Sequence, residues 1–149
     1  MVLPSYRAWL AEPLTEWLAK CATGYADDLA ERVFRYWERT DQSQIAGARK
    51  PSDYRTHLRM RVCQDFGLVW DIHDGQKHMS LDRKNRLITN ASQTAVAQIG
   101  YGEGNYSEGM YGGADQIVIE LDDGTKRSLL GVMQNVIEMW ERLLTEMGL

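Results

Sequence analysis

A chain of 149 residues, 44% hydrophobic and 26% charged, is long enough to bury a core as one domain without disulfide or metal staples. The formal charge of −4 and pI near 5.4 argue against a dedicated polyanion binder. No apolar run reaches the roughly 18 residues of a membrane span, and "MVLPSYRAWLAEPLTEWL" lacks the basic and unbroken apolar stretches of a secretory signal, so cytoplasmic synthesis is expected.

The N-terminal part, 1–40, reads as a helical pair. Tyr6, Trp9, Leu10, Leu14, Trp17, Leu18 and Cys21 recur at steps of three and four and form one apolar stripe. Pro13 interrupts it, because proline lacks an amide proton and clashes with the preceding turn, so a break is expected near Glu12. Thr23 is expected to cap a second helix running to about Thr40, with Asp27 and Asp28 in its first turn and Tyr25, Leu29, Val33, Tyr36 and Trp37 inward. Asp28–Arg32 and Glu31–Arg35 are favourable i,i+4 pairs on it. Cys21 and Cys63 have no metal-ligand spacing and read as buried free thiols.

After the polar loop "DQSQIAGARKPS", the segment 53–63 satisfies two periods. Leu58, Met60 and Val62 alternate with His57, Arg59 and Arg61 as in a strand, while Tyr54, Leu58, Val62 and Phe66 keep a helical step of four. The strand is preferred, because "GLVWDIHDG" offers an antiparallel partner with Leu68, Trp70 and Ile72 alternating. "HMSLDRKNRLIT" predicts a further strand or short helix around a turn, and "TAVAQIG" a strand. "QIVIEL", the turn "DDG" and "TKRSL" predict another strand with its turn. From Ser128, a helix cap, Leu129, Met133, Val136, Trp140, Leu143 and Met147 form an a/d seam ended by Gly148. That seam suits packing on the chain's own sheet or on a second subunit. The fold class is α+β: an N-terminal helical pair (1–40), a central antiparallel sheet within a mostly β part (53–127), and a long C-terminal amphipathic helix (128–148).

Charge is uneven along this frame. Residues 49–86 hold nine Lys/Arg against five Asp/Glu, and residues 87–149 hold three against nine. A basic middle and an acidic end suit a polyanion, or a second copy meeting middle to end. Arg49, Lys50, Arg55, Arg59 and Arg61, with Arg83, Lys84 and Arg86, would supply phosphate contacts to a nucleic acid, the alternative function. A second alternative is a metal-dependent hydrolase in "DIHDGQKH", where Asp71, His73 and His78, near Asp74, would share one face of a hairpin. The D-x-H spacing resembles the opening of metallophosphatases, but their further ligand blocks are absent. Neither a G-x-x-x-x-G-K-[ST] phosphate loop nor a G-x-S-x-G elbow occurs, and no cofactor is implied.

The most distinctive stretch is "YGEGNYSEGMYGG", within the Gly/Tyr-rich loop 100–114. Tyr101, Tyr106 and Tyr111 recur every five residues among glycines. Such a string cannot build a core element, yet its tyrosines offer rigid amphipathic anchors for a partner's surface. Tandem Tyr-Gly-rich pentads of this kind resemble segments of tailed-bacteriophage virion proteins around necks, tails and fibre attachments. The resemblance implies a non-enzymatic structural protein of the virion, assembled in the host cytoplasm. Its partners would be further copies of itself and other virion proteins, with no membrane contact.

Overall fold

The computed structural model describes residues 2–77, 86–97 and 115–149, with the side chain of Ala91 set aside. The tyrosine ribbon with Tyr101, Tyr106 and Tyr111, the "HMSLDRKN" segment with His78, and Arg83 and Lys84 lie outside the described residues.

The chain breaks where Pro13 requires it. Helix α1 (Val2–Ala11) stops, a tight turn comes next, and α2 (Glu16–Trp37) begins after Thr15. Trp9 closes this elbow by donating its indole N–H to the Pro13 carbonyl at 2.9 Å, and Thr15 Oγ1 donates to Glu12 Oε2 at 3.2 Å. Thr23 does not cap a helix. It lies buried in the middle of α2, where its hydroxyl donates to the carbonyls of Ala19 and Lys20. The buried stripe of α2 is Ala19, Ala22, Thr23, Ala26, Asp27, Ala30, Val33 and Phe34. Of the residues expected inward, only Val33 is buried; Tyr25, Leu29 and Trp37 are half-buried and Tyr36 is exposed. Small side chains won over large ones because α1 and α4 both pack closely on this helix.

The expected strands between 53 and 73 are helices. Helix α3 (Pro51–His57) starts with proline at its first turn, widens into a π turn over Leu58–Val62, and leads into α4 (Gln64–Lys77). In the π turn the Cys63 N–H reaches back five residues to the Leu58 carbonyl at 2.8 Å. The step-of-four reading wins: Tyr54, Leu58 and Phe66 are buried, while Met60 and Arg61 point outward. The alternation of Leu68, Trp70 and Ile72 misled because every residue from Asp65 to His73 is buried. Helix α4 packs between α2 and α5, and a helix covered on nearly all sides has no polar face to mark its period.

The sheet is therefore smaller than expected, with three antiparallel strands in the order β1 (Thr94–Ala97), β2 (Gln116–Glu120) and β3 (Lys126–Ser128). Its central strand β2 buries Ile117, Val118 and Ile119. The "DDG" turn forms as expected, with Gly124 at φ +84° and the Thr125 carbonyl accepting from the Leu121 N–H. Helix α5 (Leu129–Glu146) buries Leu129, Met133, Val136 and Trp140 against the chain's own α4 and β2, while Leu143 and Met147 are half-buried. Ser128 occupies the cap position without a side-chain hydrogen bond. Gly148, at φ +73°, lets the N–H groups of Gly148 and Leu149 reach the Thr145 and Leu144 carbonyls, the pattern of a Schellman stop. Trp140 stacks edge-on against Phe66 and donates its indole N–H to the Ala26 carbonyl at 3.0 Å, joining α5 to α4 and α2. The architecture is α+β. Both cysteines are free and half-buried, and burial pushes the Cys63 thiol up. Among the described residues no helix is long and apolar enough to cross a membrane.

This packing sets two measurable outcomes. The Tyr54 hydroxyl is buried without a hydrogen-bond partner among the described residues, and burial pushes it from 10 up to about 12. The folded state thus holds that proton more tightly than the unfolded chain. The resulting stability is complete below pH 10 and is lost as pH rises through about 12. Tyr54→Phe should be neutral or stabilising below pH 10 and should flatten the alkaline decline, as read from urea unfolding. At Gly67 an added Cβ would lie 2.8 Å from Arg59 Cγ, on the stem of a buried side chain. Crowding of about 1–3 kcal/mol exceeds the ~1 kcal/mol helix gain, so Gly67→Ala should lower the urea midpoint.

Candidate functional site

The arginines singled out for partner contacts go three ways. Arg55 leaves α3 toward α2, where its Nε donates to Asp27 Oδ1 at 2.8 Å and its Nη2 to Asp27 Oδ2 at 3.4 Å. Arg59, turned inward by the π turn, is buried 3.9 Å from Asp71. Arg61 remains exposed, as do Arg49 and Lys50. The expected strand face joining Arg59 and Arg61 does not exist, since two residues along a helix diverge by roughly 200°. Arg86 lies near Asp122 and donates to Thr89 Oγ1.

The same geometry separates the proposed metal ligands. Asp71 turns to the 86–90 stretch, where its Oδ2 accepts the Leu87 N–H at 2.6 Å, whereas His73 faces α2. They do not share a face, so the expected pairing of Asp71 with His73 is not formed, and His78 lies outside the described residues. A different trio converges instead: Asp27, Asp28 and His73 bring ligand-type atoms within 4.8 Å of one another. His73 Nδ1 is 2.8 Å from Asp27 Oδ2 and 4.0 Å from Asp28 Oδ1. Arg55 already engages both oxygens of Asp27, so a guanidinium holds the position a metal cation would need. The imidazole lies against α2 at Gly24, where a Cβ would meet His73 Nε2 at 3.4 Å, ordinary van der Waals contact.

A third carboxylate completes the pattern. Asp65, at the start of α4, takes the Arg127 guanidinium from β3 through two bonds of 3.1 Å and the Asn135 amide from α5 at 2.7 Å. Asp27, Asp65 and Asp71 each sit in the interior opposite an arginine. Sequence reasoning overlooked Asp27 and Asp65. The signal it could have used was Asp27 at a core-spaced position among Ala19, Ala22, Ala26 and Ala30, where an unpaired charge is too costly to bury.

Two surface features remain. A cavity of about 380 Å³ opens between the first turns of α2, the end of α4 and the sheet. Its lining includes buried Ala19, Ile72, Ile117 and Leu129, with Glu16, Lys20, Gln76, Ser92 and Thr94 around them. The second feature is the outer side of the N-terminal elbow. The expected apolar stripe splits there: Trp9 is buried, Tyr6, Leu18 and Cys21 are half-buried, and Leu10, Leu14 and Trp17 are 45%, 44% and 71% exposed, joined by Leu3, outside that stripe, at 38%. No protein-family model, curated protein or solved structure matches the chain.

Removing the Asp27 carboxylate tests the central ion pair. With the Asp27 side chain 2% exposed and that of Arg55 12%, Asp27→Ala should cost about 3–5 kcal/mol in urea unfolding by leaving buried charge uncompensated. Pairing Asp27→Leu with Arg55→Met should recover most of that loss.

Proposed function

We propose that the protein is a non-enzymatic assembly subunit, a virion neck or tail component that joins copies of itself and neighbouring virion proteins. The observation that carries this reading is the exposed apolar elbow of Leu3, Leu10, Leu14 and Trp17. Leu3 and Leu10 stand seven residues apart on one face of α1, Leu14 lies in the turn that follows, and Trp17 is in the first turn of α2. Large apolar groups left exposed close together in the chain mark a contact surface more often than a solvated one, and tryptophan is among the residues most enriched at the energetic centre of interfaces.

The interior chemistry supports the same reading. Asp27, Asp65, Asp71, Arg55, Arg59, Arg127 and His73 all have partners inside the fold, where they fix helices to one another. Arg55 and Arg59 are turned away from solvent, which leaves Arg49, Lys50, Arg61 and Lys77 as the exposed cations of the middle segment among the described residues. Against them, α5 exposes Glu138, Glu141 and Glu146. In this reading the ionic surfaces steer and orient, and the apolar elbow supplies the affinity. The Tyr101–Tyr106–Tyr111 ribbon is the second contact, directed at another virion protein.

Light scattering at increasing protein concentration reads the self-association directly. The parent should form a discrete oligomer. Leu14→Ser with Trp17→Ser should weaken it by about thirtyfold or more, ~2 kcal/mol, while the unfolding midpoint stays unchanged. A parent protein that remains monomeric throughout overturns the self-assembly reading.

A further inference from the structure

The cavity between α2, α4 and the sheet has a polar–apolar layout that the assembly reading does not use. Its floor is apolar and buried, formed by Ala19 from α2, Ile72 from α4, Ile117 from β2 and Leu129 from α5. The volume of about 380 Å³ falls within the ~300–1,000 Å³ typical of small-molecule sites.

The polar groups around that floor select among ligands. Glu16 and Lys20 stand one helical turn apart on α2, carry opposite charges, and have no ion-pair partner among the described residues. Gln76 and Ser92 add an amide and a hydroxyl side chain to the lining. Thr94 also lines the cavity, and its Oγ1 is buried with no hydrogen-bond partner among the described residues. A buried hydroxyl in that state is destabilising until something polar reaches it, and such orphans are rare in native proteins.

We propose that this cavity binds a free α-amino acid with an apolar side chain. The ligand carboxylate meets Lys20, its ammonium meets Glu16, and the side chain covers Ile72, Ile117 and Leu129. Thr94 Oγ1 acquires its missing partner from the ligand's polar end. One acid and one base at the rim cancel, so a singly charged ligand would pair with one and face a like charge on the other. A zwitterion satisfies both. This proposal is independent of the assembly reading, because no residue of the exposed elbow lines the cavity.

Isothermal titration calorimetry on the full chain tests it, with L-phenylalanine, L-leucine and L-tryptophan as probes. Phenylpropionate, lacking the ammonium, and phenethylamine, lacking the carboxylate, are the controls. At least one amino acid should bind saturably at one site and raise the thermal midpoint, and both controls should bind about tenfold or more weakly. Lys20→Gln should weaken the amino acid and leave phenethylamine unchanged. Ala95→Trp, on an exposed strand position that lines the opening, should abolish binding while the fold's stability is kept. Absence of binding by all three amino acids overturns the proposal. So does equal affinity for phenylpropionate, or binding that survives both Lys20→Gln and Ala95→Trp.

Discussion

The buried carboxylate of Asp27 sets the arrangement of the helices. It lies on the small-residue stripe of α2, where α4 approaches closely, and an isolated charge there would be prohibitively costly. The fold answers with two partners from two further helices: Arg55 from α3, bonded to both oxygens, and His73 from α4 at 2.8 Å. One side chain thereby specifies how three helices sit relative to one another. Asp65 repeats the device between α4, β3 and α5, and Asp71 between α4, the π turn and the stretch at Leu87. Ion pairs of this kind add little net stability over a well-packed apolar replacement, but an arrangement that fails to match each charge is heavily penalised.

This internal matching reshapes the surface. The middle of the chain is rich in arginine, and a surface tally would assign its cations to a polyanion. Two of the three arginines at its centre are folded inward. Among the described residues, those that reach solvent include an apolar elbow on α1 and α2, Met60 in the π turn, and ionic side chains spread over α2, the approach to α3, the π turn and α5. The described surface is therefore more apolar and less basic than the arginine-rich composition of the middle segment suggests.

The sequence was legible where a local rule acts alone. Pro13 forces a break, Asp123–Gly124 a turn and Gly148 a stop, and each operates on the backbone within a few residues. The α5 seam was legible because one face is apolar over the whole helix and the other is charged. The reading failed at Leu58–Ile72, where burial on all sides removes the polar face that reveals a period, and alternation along a helix imitates a strand. The ionic centre was half legible. Arg55, Arg59, Asp71 and His73 stood out as chemistry-bearing residues, but their partners depend on helix faces that a strand assignment inverts. Asp27 was hidden because it looked like an ordinary first-turn acid of a helix that in fact begins eleven residues earlier.

The wide turn at Leu58–Val62 makes the chain intolerant of a change in length there. It holds one residue more than a regular helical turn would, and that surplus aims Arg59 into the interior. Losing exposed Met60 from it would spare every buried hydrophobic group and every buried charge in the molecule. It would nonetheless rotate α4 by roughly 100° relative to α3, carrying Asp65, Asp71 and His73 away from their guanidinium and carboxylate counterparts together. Descendants of this chain can diverge in residue identity across the turn while remaining bound to its length.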